Sequence, residues 1–317
     1  MNTALRDPEL QAMVGVVVGV LLAGSIAGAV LRRTVKGESG ARTVANLVAR
    51  VRAWWLMVAI FLGALALGRG GAVALYGVIS FLALREFISV FNTRFADHRT
   101  LFWCFFVAVP AQYWLVYDGW YGLWSIFIPV YAFLFVPIRS ALRGDSRDFL
   151  ARCAKIQWGL MACVFCLSHA PALLDLRIPG YEGESAKLLF LLVMICQLSD
   201  VMQYVCGKLF GRRKIAPNLS PSKTWEGFVG GVAVTTGIGA ALWWATPFAP
   251  WQAAAFALLI CLLGFAGGLV MSAIKRDAGI KDWGDLIGGH GGMLDRIDSL
   301  CFATPVFYHL VRWGFTG

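Results

Sequence analysis

The sequence predicts an all-α, polytopic integral membrane protein of about nine to ten transmembrane helices, and three observations predict it. Of its 317 residues, 59% are hydrophobic and the mean hydropathy is +0.69, against the roughly 45–50% apolar content of soluble domains. Apolar runs recur along the whole chain, each close to the ~20 residues a helix needs to cross ~30 Å of hydrocarbon. They show no period-two alternation, which argues for helices and against a barrel.

The runs fall near 12–31, 54–68, 71–92, 101–117, 120–138, 156–174, 186–207, 226–246, 252–274 and 297–313. The first follows Arg6, Asp7 and Glu9, lacks a small-residue cleavage site and ends in Leu31-Arg32-Arg33, so it reads as a retained helix. The connections Asp118-Gly119-Trp120-Tyr121-Gly122 and Thr246-Pro247-Phe248-Ala249-Pro250 carry turn formers and interfacial aromatics. With no repeat, linker or large soluble segment in view, residues 1–317 read as one membrane domain. Within it 1–175 supplies structural helices, and 186–313 holds nearly all of the clustered polar residues.

The net charge of +10 is a question of topology before it is one of partners. One set of loops holds Arg32, Arg33, Lys36, Arg42, Arg50, Arg52, Arg94, Arg99, Arg139, Arg143, Arg147, Arg152 and Lys155. The same side continues with Lys208, Arg212, Arg213, Lys214, Lys223, Lys275, Arg276, Lys281 and Arg296. By the positive-inside rule this side is cytoplasmic and both termini lie outside. That accounts for the basicity without a nucleic-acid partner, and the loops would attract anionic lipid headgroups. The eight cysteines fall within or beside the apolar runs. Cys163-x-x-Cys166 has no second pair, so small packing residues are expected rather than a disulfide framework or a zinc site.

The chemistry concentrates in "GGHGGMLDRID", residues 288–298. Asp295 and Asp298 lie three apart at the start of a helical pattern and project about 60° apart on its first turn. Such a pair can bridge a hard cation such as Mg²⁺, and it can equally complement the helix dipole or pair with Arg296 or Lys281. Gly288, Gly289, His290, Gly291 and Gly292 precede them, and backbone N–H groups there can approach an anion. Lys275, Arg276, Lys281, Asp282 and Asp285 crowd the same segment, although cations at a helix end also set topology by snorkelling.

Upstream, "GKLFGRRKIAPNLSPSKTWEG" (207–227) interrupts the helical pattern with Pro217 and Pro221 and offers Ser220, Lys223 and Thr224 to phosphate oxygens. Ser222 or Thr224 can also cap the next helix, with Glu226 in its first turn. Asp200 stands inside an apolar helix, which costs ~2.5–3.5 kcal/mol on insertion scales and marks a functional candidate. Gln197, Gln203 and Tyr204 extend it into a polar stripe. Arg85 and Glu86, inside the third run, deserve notice by the same rule. These groups place the candidate active site at the cytoplasmic ends of the C-terminal helices, where a lipid headgroup can meet a water-soluble nucleotide.

Ser272, Ile274, Lys275-Arg276, Lys281-Asp282, Gly284, Ile287-Gly288, His290-Gly291-Gly292-Met293 and Asp295-Arg296-Ile297-Asp298 together resemble the C-terminal motif of the phosphatidate cytidylyltransferases, also called CDP-diacylglycerol synthases. Ser220-Pro221-x-Lys223-Thr224-Trp225-Glu226-Gly227 and Asp200-x-x-x-Tyr204 resemble that family's preceding motifs in the same order, so the resemblance covers about 200–300. It implies synthesis of CDP-diacylglycerol and pyrophosphate from CTP and phosphatidic acid with Mg²⁺, and in some members a second, monovalent cation such as K⁺. The resemblance assigns metal binding to Asp200, Asp295 and Asp298, with Asp282 as a further candidate, and adds Lys275 to the catalytic set. Ser220, Lys223, Thr224, Arg276, Lys281, His290, Gly291, Gly292 and Arg296 would hold substrate phosphates. It also implies a bacterial inner-membrane location and allows a homodimer.

Two positions depart from the family: Gln203 replaces a small residue and Ser222 replaces a second basic one. They bear on the acceptor, with another phospholipid or a polyprenyl phosphate as alternatives, more than on the class of reaction. Three rival readings stand beside this one. An anionic-solute transporter predicts an inverted repeat that is not seen. A CDP-alcohol phosphotransferase predicts an Asp-Gly-x-x-Ala-Arg start that is missing. A CTP-dependent polyprenol kinase is closer in chemistry and stays open.

Overall fold

A computed structural model of the chain describes residues 7–34, 37–285 and 291–316. Each predicted apolar run becomes one helical segment: α1 Pro8–Thr34, α2 Glu38–Ala66, α3 Gly68–Ser89, α4 Phe95–Asp118, α5 Tyr121–Ala141 and α6 Phe149–Asp175, then α7 Ser185–Phe210, α8 Trp225–Ala241, α9 Pro250–Asp277 and α10 Leu294–Phe315. Among the described residues, eight of these are long and apolar enough to cross a membrane; the other two are α8, only 17 residues long, and α10, whose first turns carry Asp295, Arg296 and Asp298. The chain is an integral membrane protein of helical type.

Local chemistry sets the helix ends. Pro250 occupies the first turn of α9, where its missing N–H costs nothing, and the Gln252 side chain accepts from the Ala249 N–H at 2.8 Å. Pro217 and Pro221 bar a helix between α7 and α8, so the connection folds into an antiparallel hairpin of β1 Lys214–Ala216 and β2 Ser220–Thr224, with Lys214 opposite Thr224 and Ala216 opposite Ser220. Thr224 then caps α8: its backbone is extended and its hydroxyl accepts from the Gly227 N–H at 3.1 Å, the geometry of an N-cap.

The bundle is organised around α6 and α7. α6 is buried over 72% of its apolar window, whereas α2 is buried over none of its own, so α6 is a core helix and α2 faces the lipid. Leu188, Leu189, Leu192 and Ile195 of α7 meet Ile260 and Cys261 of α9 and Leu300, Phe307 and Val311 of α10 in one continuous core. With no hydrophobic drive between helices in lipid, small residues and polar ties hold such a bundle. Gly231 of α8 leaves so little room that a Cβ there would sit 2.5 Å from the Gln203 backbone nitrogen. Buried Gln112 donates to the Trp124 carbonyl and the Ser168 hydroxyl, both at 3.0 Å, joining α4, α5 and α6. Cys163 packs wholly inside, as its apolar helical setting predicted.

Candidate active site

Four elements converge where α7, α9 and α10 meet the hairpin. Asp200 lies in the second half of α7, and the Ser299 hydroxyl of α10 donates to its Oδ2 at 2.6 Å. The same hydroxyl is 3.3 Å from Oδ1 of Asp298, which also accepts from the Ser299 N–H at 2.8 Å. One small hydroxyl therefore bridges two carboxylates from different helices. Lys223, on β2, brings an ammonium beside them. It lies 4.6 Å from the centre of the Phe265 ring. Burial pulls it below the ordinary lysine range, while the carboxylates of Asp200 and Asp298 pull it back up.

The close approach depends on glycines of α9. A Cβ on Gly267 would lie 2.8 Å from the Asp298 carbonyl oxygen, and one on Gly268 would lie 3.1 Å from the Lys223 ammonium and 3.7 Å from Asp298 Oδ2. Gly268 thus forms the bare floor of the cluster. Two carboxylates converging on one hydroxyl suit a hard divalent cation, which is commonly held by one or two carboxylates with water and substrate phosphates completing its shell. The donor set fits Mg²⁺ on that basis. Among the described residues, Asp200, Asp295 and Asp298 do not bring three oxygens within 4.8 Å of one another, and the oxygens of Asp295 have partners of their own.

Asp295 is a clamp. Its Oδ1 accepts from the Lys275 ammonium at 2.7 Å, and its Oδ2 accepts from the Trp283 N–H at 2.9 Å and the Gly292 N–H at 3.0 Å. The loop after α9 is thereby tied to the start of α10. Gly291 has φ +81 and a Cβ there would strike Asp295 Oδ2 at 2.8 Å, so conformation and space both require glycine. Of the glycine-loop N–H groups expected to approach an anion, that of Gly292 donates to Asp295; next along the chain, Met293 and Leu294 donate to the two oxygens of Glu86, each at 2.8 Å. Glu86 reaches over from the end of α3 and caps a helix that has no side-chain cap of its own. A Cβ on Gly292 would lie 2.4 Å from that carboxylate.

The remaining sequence candidates divide. Arg276 donates to the Leu219 carbonyl at 3.2 Å and the Ile280 carbonyl at 3.0 Å, joining the hairpin to the loop after α9. The Arg296 carbonyl accepts from Gln197 at 3.0 Å, and its buried Nε has no partner among the described residues. Ser220 is half-buried in the hairpin; Lys281 and Asp282 are exposed, Asp282 beside Gly291. Gln203 turns back to the Ser199 hydroxyl at 2.8 Å, and Tyr204 is exposed, so the polar stripe on α7 splits among separate partners. His290, Gly288 and Gly289 lie outside the described residues. Sequence reasoning missed Ser299 and left Glu86 without a role. The Gly264-x-x-Gly267-Gly268 pattern in an apolar helix was the available signal for a close approach at Asp298.

Fold and site define a polytopic membrane protein that gathers carboxylates and ammonium groups at the meeting of helix ends. The sequence pattern described as the cytidylyltransferase family matches residues 48–313, and the chain belongs to that family. It is 41% identical over 268 residues to a protein of Escherichia coli (strain K12) named "Uncharacterized protein YnbB", covering 83% of this chain and 87% of that one. It is 29% identical over 267 residues to a phosphatidate cytidylyltransferase of Staphylococcus aureus (strain COL), covering 81% of this chain and 96% of the relative. A phosphatidate cytidylyltransferase of Mycobacterium leprae (strain TN) is 41% identical over 176 residues, 55% of this chain and 54% of the relative.

Proposed function

We propose that the chain is a CTP:phosphatidate cytidylyltransferase, acting from the cytoplasmic face of a bacterial inner membrane. The observation that carries this reading is the junction of Asp200, Ser299 and Asp298 with Lys223 beside them, in a chain of the cytidylyltransferase family. A phosphatidate phosphate oxygen attacks the α-phosphorus of CTP; the new P–O bond forms in line as the bond to the β-phosphate breaks, and pyrophosphate leaves. Little covalent work falls to the protein in such a transfer, so positioning and charge neutralisation dominate.

Asp200 and Asp298 would hold Mg²⁺, which supplies neutralisation of the triphosphate and polarisation of its α-phosphate. Lys223 opposes the charge that develops on the leaving oxygens. Lys275, oriented by Asp295, adds a second ammonium on the same side, and Arg296, Lys281 and Arg276 extend the positive field toward the cytoplasm. Thr224 and Asp295 act indirectly, through the helix cap and the loop clamp. A bound K⁺ and a homodimer are compatible additions drawn from the resemblance alone.

The test uses the purified chain with Mg²⁺, CTP labelled at the α-phosphate and phosphatidic acid, with Asp298→Asn beside it. Label entering lipid with the wild type and not with the variant is the expected outcome. Transfer only from γ-labelled CTP to a polyprenol would replace this reading with a lipid kinase.

A further inference from the structure

Away from the catalytic junction, the turn before α4 and the loop between α5 and α6 come together around a set of arginines. Arg152, 7% exposed, donates from Nε to Asp97 Oδ1 at 3.1 Å and from its other nitrogens to the carbonyls of Asp145 and Arg147. Arg94 pairs with Asp148 at 2.9 Å and with Asp145 at 3.6 Å, and Arg147 pairs with Asp145 at 3.2 Å. The three aspartates of this region are thereby all engaged. The frame is firm enough to hold Asp148 at φ 49, a conformation uncommon outside glycine.

Arg99, Arg139 and Arg143 remain, with no ion pair or hydrogen bond among the described residues. The Thr100 and Ser140 hydroxyls, 3.2 Å apart, bring the start of α4 beside the end of α5 and so Arg99 near Arg139 and Arg143; desolvation, and then the charges of Arg99 and Arg139, hold Arg143 below its ordinary range. Like charges gathered on a rigid frame repel, and that repulsion is relieved by a bound anion. Arg94, Phe95, Ala96, Arg143, Asp145 and Arg147 line a cavity of about 470 Å³ at this place, room enough for a phosphate-bearing headgroup. Phe95, in its lining, is 85% exposed, and Leu142 and Leu150, at the two ends of the loop that carries Arg143, Asp145 and Arg147, are 75% and 79% exposed. Apolar groups projecting beside arginines at the end of a transmembrane bundle belong at the depth of glycerol and upper acyl chain, with the cations at headgroup level.

We propose that this face is a binding site for the headgroup phosphate of an anionic phospholipid in the adjoining leaflet, distinct from the catalytic junction and independent of what is transferred there. The exposed Phe95, Leu142 and Leu150 favour a lipid over a free phosphate ion, because a soluble anion would leave them in water. Arginines near an anionic surface each add to its attraction, so losing three should abolish preference for the anionic headgroup at this face.

The experiment compares the melting temperature of the full chain in detergent with added dioctanoyl phosphatidylglycerol, dioctanoyl phosphatidylcholine or inorganic phosphate. The wild type is expected to rise by about 4 °C with the anionic lipid and by little with the other two. The Arg99→Gln/Arg139→Gln/Arg143→Gln variant is expected to lose most of that rise while its lipid-free melting temperature stays equal to or above wild type, since repulsion has been removed. A charge-matched control, Arg32→Gln/Arg33→Gln/Arg50→Gln in the last turn of α1 and within α2, is expected to keep the rise. An undiminished rise in the first variant, an equal rise with phosphatidylcholine, or an equal rise with inorganic phosphate would overturn the proposal. Should the first variant not fold, native mass spectrometry of the wild-type chain decides: preferential retention of phosphatidylglycerol supports the site, and indifferent retention overturns it.

Discussion

A single serine sets the geometry of the site at the smallest scale. Ser299 holds Asp200 and Asp298 to a common point, and two carboxylates so placed repel until a cation or a proton joins them. Asp295 works differently, with its oxygens occupied by Lys275, Trp283 and Gly292. The two aspartates of one motif should therefore fail in different ways. If Asp298 holds the metal as proposed, Asp298→Asn is expected to lower kcat by about 10²-fold or more with a melting temperature near wild type, because the proposed metal site loses a charge. Asp295→Asn loses a charge-assisted bond, and its amide NH₂ confronts backbone donors, a defect of about 2 kcal/mol. It should lower the melting temperature by several degrees along with activity. Thermal unfolding and steady-state kinetics on both variants check the split; equal melting temperatures with equal kinetic losses would mean that both residues touch the reaction directly.

At the scale of elements, α10 is positioned by a helix more than 200 residues earlier in the chain. Glu86 accepts from the N–H groups of Met293, the N-cap, and Leu294, the first residue of α10, a place where a carboxylate gains from both hydrogen bonding and the helix dipole. Glu86→Ala would leave those donors unpaired in a part-buried setting, at a cost of about 3 kcal/mol, and would let the Asp298–Ser299 turn shift. A shift of about 1 Å is worth roughly 10²-fold in rate, so a large fall in kcat is expected. Glu86→Gln, which keeps one accepting oxygen, should recover part of it; failure of the conservative variant to do better than alanine would count against the cap. Gly268→Ala tests the opposite side of the junction. Its methyl would press on the flexible end of Lys223, and lower activity with an unchanged melting temperature is the expected result. The individual residues were legible in sequence: Asp200 by its cost in lipid, Asp295 and Asp298 by spacing, and Thr224 by cap chemistry. Their division of labour was not, because whether a carboxylate faces a substrate or a backbone N–H depends on which distant helix arrives beside it.

The ten apolar runs were equally plain at the scale of the molecule, since the bilayer imposes length and composition on each segment separately. What composition could not show is how the bundle is fastened at its two ends. At the far end of α7 from Asp200, the Lys187 ammonium, 2% exposed, lies 3.0 Å from Asp7, 2.5 Å from Glu9 and 2.6 Å from Glu184. It anchors the start of α1 to α7, which α1 otherwise has little means of gripping, since its apolar window is only 11% buried. Removing one member of such a cluster strands the rest. Because the carboxylates are 20–42% exposed, Lys187→Met should cost about 1–3 kcal/mol rather than the full value for a buried pair. Lys187 precedes Asp200 by 13 residues of one helix, roughly 20 Å at 1.5 Å per residue, so activity below the melting transition should persist. The three acids left behind can bring one oxygen each within 4.8 Å of the others, a spacing that suits a hard cation. Millimolar Ca²⁺ is accordingly expected to restore part of the melting temperature in Lys187→Met and to leave the wild type, whose ammonium already fills the place, unmoved. An equal Ca²⁺ response in both proteins would show that the lysine is not what occupies that cluster.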